Sequence, residues 1–418
     1  MMTEYNASNP LRCFYAFAGY NSQKMALQRL ADVYPDFHHV CVGWSEIDEN
    51  AIKANNAVFP EDIDKNFGDI TKIDWTKVPD FDLFTMSSPC QDFSMSGKRR
   101  GGEEGSGTRS SLLWECTKAI EIKRPKYILF ENVKGLISGT FLKGFHKWQS
   151  RLHKLGYENF TQVLNASDYN VPQNRERVFM ISILRTDDEP NPSFYFPKKM
   201  ELERRIKDIL EPNVDESFYL SDKALEYFCR VNNSRLNGIM SYKIERIFNI
   251  YTGKIFGGCY AGNVYGIYGI APTISCMGGG NRMPLILIEN EKRKKYRIRK
   301  LTPEECFRLQ DVNDEDIEKI RSYVDNETAI ICDANGEPIM NMDFDKPSKN
   351  TRKITIMVNG EQREYYSSQL IWKNKGKGIS KTAQYKLAGN SICVAPMYHI
   401  FRKLFIEKEC ENQQLELF

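Results

Sequence analysis

The chain has 418 residues, more than one compact core usually holds, and its 41% hydrophobic and 27% charged content is that of a globular protein rather than a disordered one. No apolar run approaches the ~20 residues that crossing a bilayer requires. The net charge of +3 is too small to announce a polyanionic partner, but residues 191–300 carry 19 Lys and Arg against 11 Asp and Glu, which leaves the rest of the chain acidic.

The N-terminus, MMTEYNASNPLRC, lacks a basic segment followed by an apolar stretch and a cleavage site, so a cytoplasmic location is expected. The first ~185 residues then alternate β-rich runs with helical periodicity, the pattern of a parallel sheet wrapped by helices. Strands are expected at Cys13–Ala18, Val40–Glu46, Asp82–Ser87, Tyr127–Asn132 and Val178–Leu184. Helices are expected near Gln23–Tyr34, Glu49–Ala57, Ser110–Ile122 and Phe141–Leu155. In such a sheet ligands gather beyond the carboxyl ends of the strands, which is where FAGYNS, SEID, SSPCQ and ENV fall.

After Arg185 the polar, Pro-rich DDEPNPSFYFP marks a domain boundary. Tyr251–Gly280 is rich in Gly and Tyr and suits loops that approach a ligand closely. Thr302, followed by Pro303 and Glu304–Glu305, reads as the N-cap of a helix. Asn359-Gly360 between ITIMV and EQREYY predicts a β-hairpin. Ser391–Glu407 reads as a helix with an apolar face, interrupted early by Pro396. The expected division is 1–186 plus 384–418 as one domain, 187–310 as a smaller one, and 311–383 as an insertion enlarging the smaller lobe.

Eleven cysteines form no C-x-x-C pair and there are only five histidines, so metal-ligand spacing is absent and no metal is expected. Most of the cysteines read as free, buried thiols. Cys90 stands apart: Pro89 fixes the backbone before it, a polar Gly- and Ser-rich stretch follows, and Lys98, Arg99 and Arg100 would favour the nucleophilic thiolate. Glu131 ends another apolar strand, where a carboxyl group could hydrogen-bond or protonate N3 of an extruded pyrimidine. The QNRER cluster, Gln173–Arg177, precedes the last strand; alone it would be a surface salt-bridge patch, but arginine's donor fork could hold a base carbonyl.

Pro89-Cys90-Gln91, Glu131-Asn132-Val133 and Gln173-x-Arg175-x-Arg177, in this order, resemble the signature blocks of the cytosine-C5 DNA methyltransferases of bacterial or phage type. Phe17-Ala18-Gly19, RKLTPEECFRLQ (Arg299–Gln310) and Gly389-Asn390-Ser391 extend the match to both ends of the chain. The resemblance implies an α/β fold: a Rossmann-like S-adenosylmethionine-dependent methyltransferase sheet with a smaller target-recognition domain. It implies that Cys90 attacks cytosine C6, that Glu131 engages N3, and that Arg177, supported by Arg175, binds the base carbonyl. For the cofactor, S-adenosylmethionine, it implies contacts from Phe17, Ala18, Gly19, Asn21, Ser22, Glu46, Ile47, Asp69, Ile70, Pro89, Leu112, Asn390 and Ser391. For DNA it implies contacts from Gln91, Ser96, Lys98, Thr273 and Gly279. Double-stranded DNA is the implied partner of a monomeric enzyme, with a place in restriction–modification.

Two departures accompany the resemblance. Tyr15-Ala16 precede Phe17 where the family has a carboxylate, and Asn21-Ser22 replace two glycines with small, turn-compatible residues. The late block ends in LQDV, without the family's glycine and aromatic. The alternatives are a transfer-RNA cytosine-C5 methyltransferase and a catalytically silent DNA-binding regulator.

Overall fold

The computed structural model describes residues 4–88, 112–139, 141–221, 243–250, 262–276, 283–290, 295–324, 328–332, 338–343, 353–358, 361–366, 370–374 and 378–407. The N-terminal strands are β1 (Leu11–Ala16), β2 (His39–Ser45), β3 (Leu83–Met86), β4 (Tyr127–Val133), β5 (Tyr157–Asn165), β6 (Gln173–Asn174) and β7 (Glu176–Leu184). Six of them form one sheet in the order β2-β1-β3-β4-β7-β5. The sequence pattern predicts a parallel sheet, and β2, β1, β3 and β4 are parallel. Strand β7 is antiparallel to both β4 and β5, which corrects that expectation at one position.

Alternation along the strands assigns side chains to two faces. From β1, Cys13 and Tyr15 enter one apolar cluster together with Leu27 and Leu30 of α1 (Ser22–Val33) and Ala54 of α2 (Glu49–Val58). Phe14 and Ala16 enter the other, with Ile120 of α3 (Leu112–Lys123) and Trp148 and Leu152 of α4 (Phe141–Lys154). The sheet is therefore covered by helices on both faces, as near-continuous apolar strands require. Strand β5 escaped the sequence reading because it lies at the sheet edge and YENFTQVLN is half exposed and largely polar.

In the smaller lobe, β8 (Arg246–Asn249), β9 (Asn263–Gly266), β11 (Leu285–Asn290) and β12 (Lys295–Lys300) form a sheet in the order β12-β11-β9-β8, while the short β10 (Ala271–Pro272) pairs with β6. Helix α5 (Pro303–Arg308) starts at the expected Thr302 cap, with Pro303 in its first turn and a reciprocal bond between Thr302 and Glu305. Helix α6 (Asp314–Ser322) then packs against α2. Val312, Ile317 and Ile320 share the large apolar cluster with Met25 and Leu27.

The first part of 311–383 thus packs on α2, within an apolar cluster that also holds Tyr265 and Ile286 of the smaller lobe. The remainder contains β13 (Thr328–Cys332), β14 (Pro338–Asp343) and β17 (Leu370–Asn374) in one sheet, and the hairpin of β15 (Lys353–Val358) and β16 (Glu361–Tyr366) predicted around Asn359-Gly360. The chain closes with α7 (Lys381–Asn390) and α8 (Val394–Phe405), the latter carrying Pro396 in its first turn, where it costs no hydrogen bond. No helix among the described residues is long and apolar enough to cross a membrane.

Two histidines give the large core a pH dependence. Burial, with Lys24 nearby, pushes His39 down to about 4; burial, with Arg402 nearby, does the same to His399. The ordinary histidine value is about 6.5, so between pH 6.5 and 4 the unfolded chain binds more protons than the folded one. Stability is therefore fully present above pH 6.5 and falls as the pH drops through that window. The melting midpoint should decline from pH 7 to 5, and His39→Gln should flatten the decline; a midpoint constant across that range would contradict the assignment.

Candidate active site

The turn after β1 places Phe17, Gly19 and Asn21 at φ of 55°, 59° and 65°, all left-handed. Glycine is the default there, and asparagine is among the side chains that tolerate it. Asn21 in addition caps α1 by accepting a bond from the Lys24 amide at 3.2 Å. At Asn21 the departure from the double glycine keeps a glycine-like backbone, while Ser22 begins α1. A bulky residue at positive φ is uncommon, and the Phe17 side chain packs against the cluster that contains Phe14 and Ala16. Among the described residues, a Cβ on Gly19 would meet no atom within 4 Å.

Glu46, at the carboxyl end of β2, faces this loop. Its Oε2 accepts the Gly19 amide at 2.9 Å, and Oε1 accepts the amides of Ile47 and Asp48, both at 2.8 Å. The carboxylate therefore ties two strand ends together and retains lone pairs for a ligand's hydroxyls. Next to it the Ile47 side chain is 70% exposed, an apolar surface at a polar strand end. Asp69 accepts bonds from the Thr71 amide and hydroxyl at 3.0 and 2.8 Å, which hold its carboxyl below the usual range.

Not every expected cofactor residue offers its side chain. Asn21 and Ser22 are buried and shape the loop, and Ile70 is packed into the core, so each can give a ligand only backbone groups. Leu112 opens α3 and is half-buried, Asn390 is the exposed last residue of α7, and Ala18 is buried beneath the loop. Tyr20, which the sequence reading did not single out, donates its hydroxyl to Ser391 Oγ at 2.7 Å.

The catalytic side forms where β3, β4 and β7 meet. Because β7 is antiparallel to β4, its first residues lie beside the last of β4, with Val133 paired to Arg177. This brings Arg177 Nε within 3.3 Å of Glu131 Oε1. Ser87, at the end of β3, donates its hydroxyl to Glu131 Oε2 at 2.7 Å. Glu131 is only 4% exposed, so its carboxylate is gripped from both sides and removed from solvent. Asn132 anchors the chain leading towards Cys90 by donating to the Ser88 carbonyl at 3.1 Å. Ser87 was visible in the sequence only as part of SSPCQ; its role comes from strand adjacency.

Pro89, Cys90, Gln91, Ser96, Lys98 and Gly279 lie outside the described residues. Thr273 is described, and its hydroxyl donates to the Asn174 carbonyl at 2.5 Å. Ile274 donates its amide to Gln173 Oε1 at 3.0 Å, and Gln173 Nε2 donates to the Leu309 carbonyl at 2.6 Å. The first residue pair of QNRER thus fastens the APTIS stretch and the late block to the sheet.

Arg175 lies deeper than Arg177. It was expected to support base binding, but it is 3% exposed and its guanidinium donates to the carbonyls of Ile274 at 3.1 Å, Gly389 at 3.2 Å and Ser391 at 2.6 Å. Burial, with Arg177 nearby, pushes it down to about 9, so it remains cationic at neutral pH. Of the two arginines, Arg177 is the one in an ion pair with Glu131. Of the described cysteines, Cys13, Cys41, Cys116, Cys306 and Cys393 are free and buried, while Cys276 is exposed.

Comparison with known proteins gives a consistent picture. The family model described as C-5 cytosine-specific DNA methylase matches residues 11–329. The type II methyltransferase M2.ScrFI of Lactococcus lactis subsp. cremoris is 35% identical over 367 residues, covering 76% of this chain and 92% of that one. The orphan methyltransferase M.SPRI of Bacillus phage SPR is 30% identical, covering 96% and 99%. Among solved structures, the Dnmt2 methyltransferase of S. pombe aligns with a TM-score of 0.55 at 15% identity, covering 94% of this chain and 97% of that one, which is a likeness of fold.

Proposed function

This chain belongs to the C-5 cytosine-specific DNA methylase family and is a DNA cytosine-C5 methyltransferase, and we propose that it extrudes its target cytosine from the duplex and methylates it through a covalent bond from Cys90 to C6. The observation that carries the reading is the buried Glu131 carboxylate, gripped by Ser87 and Arg177 at the strand end next to the segment that leads to Cys90.

A stacked cytosine hides C6, so the base must leave the helix at a cost of a few kcal/mol, which contacts to the extruded base and the backbone offset. Glu131 would hydrogen-bond the N3 side of the ring and make C6 electrophilic, while Arg177 would hold the ring carbonyl. The Cys90 thiolate would then add to C6, giving C5 the electron density to attack. Phe17, Gly19, Glu46, Ile47, Asp69 and Asn390 would hold S-adenosylmethionine: space among the described residues at Gly19, an exposed apolar surface at Ile47 and a carboxylate at a strand end fit its methionine, adenine and ribose parts. Bound there, that cofactor supplies an electrophilic methyl group. Loss of the C5 proton and departure of the thiolate would restore the aromatic ring and free Cys90.

Recognition is assigned to the smaller lobe within 187–310, whose surplus of positive charge suits a phosphate-tracking surface and implies salt-sensitive binding. Thr273, Gly279, Gln91, Ser96 and Lys98 are assigned to DNA contacts, and one subunit suffices for the reaction. The relatives named above are type II and phage methyltransferases, which favours DNA over transfer RNA. Incubating the protein with S-adenosylmethionine and unmethylated genomic DNA, beside a transfer-RNA arm, and mapping 5-methylcytosine at single-base resolution should show methylation within one short DNA motif. Methylation of RNA alone would overturn the choice of polymer.

A further inference from the structure

Three segments far apart in the sequence meet at one side chain, and a fourth joins them through Ser391. Arg175 donates to the carbonyls of Ile274, Gly389 and Ser391, at sequence separations of 99, 214 and 216 residues. Ser391 Oγ in turn receives the hydroxyl of Tyr20 from the loop after β1. The Ile274 stretch is fixed to β6, just before Arg175, by Ile274 on Gln173 and Thr273 on Asn174.

The contact between the last turn of α7 and the Ile274 stretch leaves no slack. A Cβ on Gly389 would stand 2.0 Å from the Ser275 carbonyl oxygen and 2.7 Å from the Cys276 amide nitrogen, so the two backbones touch directly. Close-packed interiors transmit displacement, and a turn pressed on a loop without a methyl's width between them cannot move alone. A guanidinium with a fixed donor fork holds three carbonyls in one arrangement, which a flexible ammonium cannot reproduce.

On the functional reading above, Asn390 borders the methyl donor, next to Ser391 and its partner Tyr20, and Thr273 borders the target strand. We propose that Arg175 couples the two sites: occupancy of the cofactor pocket fixes the Gly389–Ser391 turn, and Arg175 with the Gly389–Ser275 contact passes that order to the loop that meets DNA. Arg175 is then a positioning residue for substrate binding, with no contact of its own to base or cofactor. Thermodynamic linkage makes the effect reciprocal, so DNA must tighten cofactor binding by the factor by which cofactor tightens DNA binding.

The test is a binding cycle on the full chain with S-adenosylhomocysteine and sheared unmethylated genomic DNA. Each ligand's affinity is measured alone and with the other saturating, in the unaltered protein and in Arg175→Lys, Tyr20→Phe and Ser391→Ala. The unaltered chain should show mutual tightening of about 5-fold or more. Arg175→Lys should bring the factor close to one while its melting midpoint and both separate affinities remain measurable, an outcome that mere structural support would not give. Should Arg175→Lys fail to fold, Tyr20→Phe and Ser391→Ala, which cut the chain of contacts at its cofactor end, should each reduce the factor. A factor of one in the unaltered chain, or an unchanged factor in the folded variants, overturns the coupling while leaving the functional reading intact. Failure of the unaltered chain to bind either ligand overturns the functional reading, and the coupling with it.

Discussion

Replacing Arg299 with alanine should destabilise the protein by about 3–5 kcal/mol, the cost of removing one partner from a buried ion pair. Arg299 and Glu305 are 1% and 0% exposed and pair through two bonds of 2.7 and 2.6 Å. Glu305 also accepts the amides of Thr302 and Glu211, each at 2.9 Å, so it closes the N-terminal capping box of α5 and fastens the stretch before it. Without the guanidinium a buried carboxylate is left with amide donors alone, and few rearrangements can let water reach it. Tyr385 adds to the same knot by donating to the Leu301 carbonyl at 2.6 Å. Equilibrium denaturation should show a lower midpoint with an unchanged slope; a loss below about 1 kcal/mol would mean that solvent reaches the pair. The block RKLTPEECFRLQ thus serves the fold.

Glu131→Gln should cut the turnover rate by about 10²–10⁴, the usual contribution of a positioned proton-transfer group, with little loss of DNA affinity. The amide keeps the carboxylate's shape but carries no charge for Arg177 at 3.3 Å and can meet Ser87 with only one acceptor. The arrangement that aims the group at a base is then lost together with its ability to move a proton. A variant within a few-fold of the normal rate would show that activation of the ring resides elsewhere. If DNA affinity fell as steeply as turnover, Glu131 would be a binding group whose contribution is made before the transition state.

Much of this was legible because strand ends carry a distinctive sequence pattern. Apolar runs of β length that stop at SEID, SSPCQ and ENV locate a ligand-binding edge without any structure. The Thr302 cap and the hairpin at Asn359-Gly360 were legible for the same reason, since both depend on local backbone chemistry. What was hidden depends on neighbours distant in sequence. Strand β7 alternates no differently for being antiparallel, yet its direction is what sets Arg177 beside Glu131. Arg175 and Arg177 are two residues apart and chemically identical, and only burial separates the clamp from the site residue. Helix α6 carries too few apolar residues to reveal its partner, and the core it joins is built from α1 and α2 some 260 residues earlier in the chain.

The most direct test of the central claim is to trap the proposed bond. A duplex carrying the methylated motif, with 5-fluorocytosine at the target position, cannot lose a proton from C5, so the thiolate cannot depart after methyl transfer. In the presence of S-adenosylmethionine the protein should form a complex with this duplex that survives denaturing electrophoresis, with the cross-linked peptide containing Cys90, and Cys90→Ser should form none. Methylation of ordinary DNA by the Cys90→Ser protein, or a trapped complex joined through another residue, would contradict the account.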